Sequence, residues 1–125
     1  ETLDAVAAAS RGYVYAVSRV GVTGTEHASS TAGLAESVAR LRADAAAPVM
    51  LGFGISTPGQ VAEAVAAGAD GAISGSATVR IVEAHVPALA AAHDQGRDPG
   101  RQRELEALRD DLVAFTSAMK EATRR

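Results

Sequence analysis

Three short runs of apolar residues, without polar residues alternating between them, predict three β-strands. They occupy residues 13–17, 49–51 and 72–73, the second directly after Pro48 and the third between Gly71 and Ser74. Strands of a parallel sheet are covered on both faces, and their sequences are therefore continuously apolar. The runs accordingly predict a parallel sheet that is buried on both faces.

Helical spacing follows the first predicted strand. Leu34, Val38 and Leu41 recur at the spacing of one helix face. Ser30 or Thr31 stands just before this face, and both residue types are suited to cap a helix N-terminus. The pattern predicts an amphipathic helix that packs its apolar face on the sheet.

The helix after the second strand has clear boundary signals. Thr57 is suited to the N-cap, Pro58 to the first helical position, and Gln60 completes a capping box. Gly68 is suited to end the helix, because glycine readily adopts the left-handed conformation found there. The residues expected to face inward are Val61 and Val65.

Two further helices are predicted towards the C-terminus, the first beginning near Ser76. The second has Asp98 at its N-cap and Pro99 at its first position. Polar residues 93–100 predict a loop between the two helices. The last helix is expected to pack its apolar stripe on the sheet. That stripe consists of Leu105, Leu108, Leu112, Phe115, Met119 and Ala122.

Alternating strands and helices predict right-handed crossovers and an α/β fold. A closed (β/α)8 barrel needs eight such units and about 200–250 residues, whereas this chain has 125. A three-stranded parallel sheet would also leave two edges open. Residues 1–125 are therefore expected to form one partial barrel domain without its N-terminal half. Either a longer protein or other chains would complete it, and a first residue of Glu1 instead of Met favours a processed or truncated product.

Composition narrows the function classes. The formal charge is −3, from 12 basic and 15 acidic residues, which argues against a nucleic-acid or anionic-membrane surface. The chain has no cysteine, so disulfides, thiolate nucleophiles and cysteine-based metal sites are excluded. No run approaches the ~18 apolar residues of a membrane span, and no secretory signal is recognisable. The cytoplasm is the expected location.

Ligands of parallel α/β folds bind where the strands end. The segments that follow the three strands, residues 18–26, 52–56 and 74–77, are all rich in glycine or serine. Glycine lets backbone amides approach an anion closely, and a helix N-terminus adds partial positive charge. Three such segments on one rim predict a phosphate site built from main-chain amides.

Other chemistries find little support. No third glycine follows Gly54 as in a dinucleotide fingerprint, and no Gly-Lys-Ser/Thr follows Gly24 as in a P-loop. Asp70 precedes the third strand, at the end opposite the rim, and Glu26 is the only carboxylate of a rim segment. The histidines, which share no metal-ligand spacing and are expected in loops or at the surface, are His27, His85 and His93. The helical carboxylates expected in solvent are Glu63, Glu83 and Glu104.

Five segments together resemble the tryptophan synthase alpha chain family. They are Gly-Tyr-Val-Tyr at 12–15, Ser-Arg-Val-Gly-Val-Thr-Gly at 18–24, Gly-Phe-Gly-Ile-Ser at 52–56, Gly-Ala-Ile-Ser-Gly-Ser-Ala at 71–77 and Phe-Thr-Ser-Ala-Met-Lys at 115–120. The resemblance covers essentially the whole chain and implies the C-terminal part of a (β/α)8 barrel, from just before strand six to the end. It also implies cleavage of indole-3-glycerol phosphate to indole and glyceraldehyde 3-phosphate, with indole passed to a beta chain.

The resemblance further implies which residues bind the substrate. The phosphate ligands would be Gly24, Gly54, Gly75 and Ser76. Phe53 would line the pocket beside the phosphate, or alternatively fill the barrel core. No cofactor and no metal is implied.

The remaining implied roles concern a lid and the catalytic groups. Tyr15 would project from strand six into the active site, or alternatively fill the barrel core. Residues 18–26 would close over the substrate, with Thr23 contacting the catalytic machinery and Arg19 holding the closed loop. The family's catalytic Glu and Asp lie in the N-terminal half of the barrel. No catalytic acid or base is therefore expected in this chain, and alone it would be nearly inactive.

Three functional hypotheses are consistent with these features. The first is a segment of a tryptophan synthase alpha chain. The second is a stand-alone half-barrel that binds a phosphate or a partner and associates with copies of itself. The third is another phosphate-ester barrel enzyme, such as one of histidine or thiamine metabolism.

Overall fold

The computed structural model describes residues 2–17, 27–52, 54–96 and 98–124, and within residues 27–34 the backbone alone. The predicted lid, residues 18–26, and Phe53 lie outside the described residues. The elements are α1 (Thr2–Ala9), β1 (Val14–Val17), α2 (His27–Asp44), β2 (Val49–Gly52), α3 (Pro58–Ala66), β3 (Gly71–Ala72), α4 (Ser76–Asp94) and α5 (Asp98–Glu121). α1 was not predicted, and α2 begins before the predicted caps at Ser30 and Thr31.

The three strands form one parallel sheet in the order β1-β2-β3, as predicted. Val14 lies opposite Val49, and Met50 lies opposite Gly71. The amide of Ile73 still donates to the carbonyl of Leu51 at 2.8 Å. The strand pairing therefore reaches the end of the predicted third strand, although β3 itself begins and ends one residue earlier.

One face of the sheet is covered by helices. Val49 and Leu51 are 0% and 2% exposed and pack with Val38 and Leu41 of α2. α1 and α3 contribute small residues to the same core, Ala7 and Ala64. The predicted inward face of α2 is thus confirmed at Val38 and Leu41, and the side chain of Leu34 lies outside the described residues.

The opposite face of the sheet is exposed at β1, so the prediction of burial on both faces is wrong for this strand. Tyr15 and Val17 are 50% and 57% exposed. The register places them on the same face as Met50, Gly52 and Gly71. In a (β/α)8 barrel the inner face of each strand packs against side chains from the other strands. Five of those eight strands are outside this three-stranded sheet, which explains the exposure.

The ends of α3 are determined by local sequence. The Thr57 hydroxyl accepts from the amide of Gln60 at 3.2 Å, and the Gln60 side chain accepts from the amide of Thr57 at 3.1 Å. Gly68 follows the helix with φ +104°, and its amide donates to the carbonyl of Val65 at 3.0 Å. The amide of Ala69 donates to the carbonyl of Ala64, which completes a Schellman motif. These boundaries confirm the prediction, as does the burial of Val61 and Val65.

Asp70 organises the amino end of the sheet. Its carboxylate accepts from the amide of Val49 at 2.9 Å and pairs with the Arg42 guanidinium at 3.3 Å. Arg42 also donates to the carbonyl of Gly68 at 3.1 Å. Asp70 therefore joins α2, β2 and the turn before β3, at the end opposite the candidate site, as predicted.

α4 and α5 form a helical hairpin, and two predictions fail there. The predicted loop at 93–100 is shorter, because α4 extends to Asp94 and α5 begins at Asp98. Gly96 turns the chain between them with φ +61°. α5 packs mainly on α4, with a smaller contact to α3, instead of on the sheet. Of the helices in the described part of the chain, none combines the length and apolar character that crossing a membrane requires.

His85 joins the two helices of this hairpin, although it was expected at the surface. It is 8% exposed, and its Nδ1 lies 2.6 Å from a Glu104 oxygen and its Nε2 2.7 Å from an Asp111 oxygen. Carboxylates only accept hydrogen bonds, so both ring nitrogens carry hydrogens and the ring is an imidazolium. The hydrogen bonds to Asp111 and then Glu104 raise the pKa of His85 above 6.5, while burial opposes them. Glu104 is therefore an ion-pair partner in α5, and not a solvated carboxylate.

The raised pKa of His85 predicts a pH dependence of stability. Stabilisation by this group is full below pH 6.5, the ordinary value, and is lost as the pH rises through the higher pKa of the folded state. We therefore expect thermal unfolding between about pH 5.5 and about pH 9 to give wild type a higher Tm than His85→Gln at acidic pH. The difference in Tm should shrink as the pH rises.

The matched control is His93→Gln, because His93 is exposed in the last turn of α4. This variant should follow the wild-type profile. A difference in Tm between wild type and His85→Gln that stays constant, or grows with pH, would contradict the assignment of an imidazolium.

Candidate phosphate site

Two of the three predicted glycine-containing segments are described, and they meet at the carboxyl edge of the sheet. One follows β2 and contains Gly54 and Ile55; the other follows β3 and contains Ser74 and Gly75. The Ser74 hydroxyl donates to the carbonyl of Ile55 at 2.6 Å. The prediction that these turns share one rim is therefore supported by a direct contact. The third segment, with Arg19, Thr23 and Gly24, lies outside the described residues.

The backbone conformation at residue 54 favours glycine. Its φ is +75°, a left-handed value that residues with a Cβ rarely adopt. It is exposed, and a Cβ built on it would meet nothing within 4 Å. The turn therefore presents open backbone at the rim.

Gly75 and Ser76 form the N-terminus of α4. Gly75 is the N-cap, and it has no side-chain oxygen to accept from the first amides of the helix. Its φ of −119° is negative, and a Cβ there would also meet nothing within 4 Å. Unpaired amides and the helix dipole favour an anion at such a terminus. The arrangement is chemically suited to accept the oxygens of a phosphate group.

Tyr15 lies on the exposed inner face, with its ring across β2. A Cβ on Gly52 would approach the Tyr15 ring to 2.1 Å at Cε2 and 2.6 Å at the hydroxyl oxygen. Gly52 is the last residue of β2 and directly precedes the rim turn. Tyr15 can occupy this place only because residue 52 has no side chain.

Sequence reasoning missed two residues of this region, Ser74 and Gly52. Both lie inside the glycine-rich segments at 52–56 and 71–77, so their location was predicted but their contacts were not. No pattern in the chain indicates that Ser74 reaches Ile55 or that Gly52 accommodates a ring from another strand. Such contacts depend on the register between strands.

Metal ligands and acid–base pairs in the described residues would have to come from His, Asp and Glu side chains. In that part of the chain, no group of three or more His, Asp and Glu side chains is arranged to hold a metal ion. His85 contacts two carboxylates with its two nitrogens, which leaves neither nitrogen for a metal. Asp70 is committed to the opposite end of the sheet. The polar groups at the described rim are therefore backbone amides and serine hydroxyls.

These features define a class of protein. Parallel βα units with helices on the outer face, an open inner face and glycine turns at the carboxyl edge are those of a (β/α)8 barrel segment. A family model for the tryptophan synthase alpha chain matches residues 1–110. The chain belongs to this family.

Relatives and solved structures agree with this assignment. Curated tryptophan synthase alpha chains of Corynebacterium glutamicum and Corynebacterium diphtheriae are 48% and 50% identical over 100% and 98% of the chain. The chain spans 42% of the length of each.

Two solved structures are also similar. A tryptophan synthase subunit alpha from Campylobacter jejuni has a TM-score of 0.59 and 27% identity, covering 66% of this chain and 32% of its own. One from Legionella pneumophila has a TM-score of 0.51 and 25% identity, covering 97% and 37%. The predicted partial barrel and the predicted family are thus confirmed.

Proposed function

We propose that the full-length protein containing this chain is a lyase of tryptophan biosynthesis that cleaves indole-3-glycerol phosphate to indole and glyceraldehyde 3-phosphate. Family membership favours this over the other phosphate-ester enzymes and over a stand-alone half-barrel. The observation that carries the proposal is the contact between the two rim turns, Ser74 to Ile55, within a chain matched to the family over residues 1–110.

In this proposal the chain supplies substrate binding. The amides at Gly54 and Gly75, with Ser76 and Gly24, hold the phosphate dianion. Anchoring the phosphate orients the glycerol carbons and provides binding energy remote from the bond that breaks. Phe53, the residue after Gly52 in the sequence, is proposed to line the pocket beside the phosphate.

The same proposal assigns the indole-glycerol portion to the inner face of the barrel. Tyr15 flanks it, and residues 18–26 close over it, with Thr23 near the catalytic groups and Arg19 holding the closed loop. Exclusion of water by such a loop strengthens the interactions inside.

The reaction itself is an aldol-type cleavage. The bond between indole C3 and the first carbon of the side chain breaks, the hydroxyl on that carbon loses its proton to become the aldehyde, and indole C3 gains a proton. Both transfers need a positioned acid and base. We assign these groups to the part of the protein outside this chain, so that the chain alone would be nearly inactive.

A beta chain is the proposed partner, and it would receive the indole. We place the protein in the cytoplasm, without a cofactor or metal for this half-reaction. Self-association of this segment alone is a further expectation, because its sheet has open edges.

The test is an assay of the full-length protein with indole-3-glycerol phosphate, alone and with a tryptophan synthase beta chain. Indole and glyceraldehyde 3-phosphate should appear in equal amounts, and addition of the beta chain together with its second substrate should consume the indole. Failure to cleave in either condition, combined with turnover of another phosphate ester, would contradict the proposal.

A further inference from the structure

We propose that Ser74 is a positioning residue for the phosphate, because it fixes the distance between the two turns that bind it. The inference rests on the proposed function and deepens it. It concerns a residue to which neither the sequence motifs nor the resemblance assigned a role.

The geometry of the contact is specific. The Ser74 hydroxyl donates to the Ile55 carbonyl at 2.6 Å, between residues 19 positions apart in the chain, and both are partly buried. A serine hydroxyl has a single hydrogen. Because that hydrogen is directed to Ile55, Ser74 has none to donate to an anion, which separates its role from that of a phosphate ligand.

The position of the contact explains its importance. One backbone bond between these two parts of the sheet runs from the amide of Ile73 to the carbonyl of Leu51 at 2.8 Å. The hydrogen bond from Ser74 to Ile55 lies further towards the rim. Each of its ends is adjacent in sequence to a proposed ligand, since Ile55 follows Gly54 and Ser74 precedes Gly75. Loss of this hydrogen bond frees the turn after β2 to move relative to the N-terminus of α4.

The experiment measures glycerol 3-phosphate binding by calorimetry, and steady-state kinetics, for the full-length protein and its Ser74→Ala variant. Loss of one hydrogen bond should raise both Kd and KM by about 3- to 10-fold, with kcat nearly unchanged. A purely structural defect would instead reduce the folded fraction, and so lower kcat without changing KM.

Ser56→Ala is the matched control. Ser56 lies on the turn after β2, but its hydroxyl contacts Gln60 in the first turn of α3 at 3.1 Å, and not the turn after β3. This variant should bind glycerol 3-phosphate like wild type. If Ser74→Ala does not fold, Ser74→Cys takes its place, because a thiol of similar size is a weak donor, and the same rise in Kd is expected.

The outcomes separate the inference from the proposed function. If wild type and Ser74→Ala bind glycerol 3-phosphate equally well, the positioning role of Ser74 is overturned. The proposed phosphate site is then unaffected. Wild type that does not bind overturns both. A weakened Ser74 variant beside an unchanged Ser56 variant supports the inference.

Discussion

Replacement of Gly75 by valine is expected to abolish phosphate binding while the full-length protein remains folded. A Cβ at this position meets nothing within 4 Å, and the φ of −119° does not require glycine. The side chain would instead fill the space in front of the first amides of α4. Loss of two hydrogen bonds to a charged group, at about 1.5–3 kcal/mol each, corresponds to at least about a 100-fold rise in Kd.

Calorimetry with glycerol 3-phosphate and thermal unfolding would check both parts of this expectation. Gly54→Val provides the comparison, because its φ of +75° adds backbone strain of about 1–2 kcal/mol to any effect on the ligand. Gly75→Val should therefore unfold near the wild-type temperature and Gly54→Val below it. Wild-type affinity in both variants would refute the assignment of the site.

Replacement of Gly52 by valine is expected to displace the Tyr15 ring and reduce kcat/KM of the full-length protein by about 100-fold, the scale of a contact misplaced by about an ångström. The clash is with the end of the Tyr15 side chain, 2.1 Å from the new Cβ. The clashing atoms are at the far end of a side chain that can change rotamer without movement of the backbone. The effect should therefore appear in the active site more than in stability.

Gly71→Ala is the matched control on the same face of the sheet. Its Cβ would meet the flexible end of Met50, at 2.5 Å from Cε, and would leave Tyr15 in place. A crystal structure of Gly52→Val together with kinetics of both variants decides the matter. An unmoved Tyr15 ring, or equal losses of kcat/KM in the two variants, would show that Gly52 does not position Tyr15.

The parts of the fold that were predicted correctly are those determined by neighbouring residues. α3 begins at Pro58 because Thr57 and Gln60 cap it, and it ends where Gly68 adopts a left-handed conformation. The apolar runs located the three strands, because a parallel strand is marked by a continuous apolar run within its own sequence.

The parts predicted wrongly depend on what the chain packs against. The burial of His85 follows from Glu104 and Asp111, which lie 19 and 26 residues away on another helix. Polar residues 93–100 resemble a loop, yet most of them belong to the ends of α4 and α5. Tyr15 is exposed because the strands that would cover it are outside the sheet described here.

The candidate site likewise combines features marked by the local sequence with contacts that depend on the packing of the strands. The segments that contain Gly54, Gly75 and Ser76 were predicted from glycine and serine directly after strands, a local signal with a known relation to anions. The resemblance then implied these three residues as phosphate ligands. Ser74 and Gly52 act through residues on other strands, so their contacts became visible only with the register of the sheet. All of the implied site roles remain predictions, those of Tyr15, Arg19, Thr23, Gly24, Phe53, Gly54, Gly75 and Ser76.

The proposed site requires that backbone amides of two separate turns hold one phosphate group. The most direct test follows the amide resonances of the full-length protein by nuclear magnetic resonance during titration with glycerol 3-phosphate. We expect the largest saturable shifts at Gly54, Gly75 and Ser76. Saturation without movement of these three amides, or with the largest shifts at the amino end of the sheet around Gly68, would contradict the account.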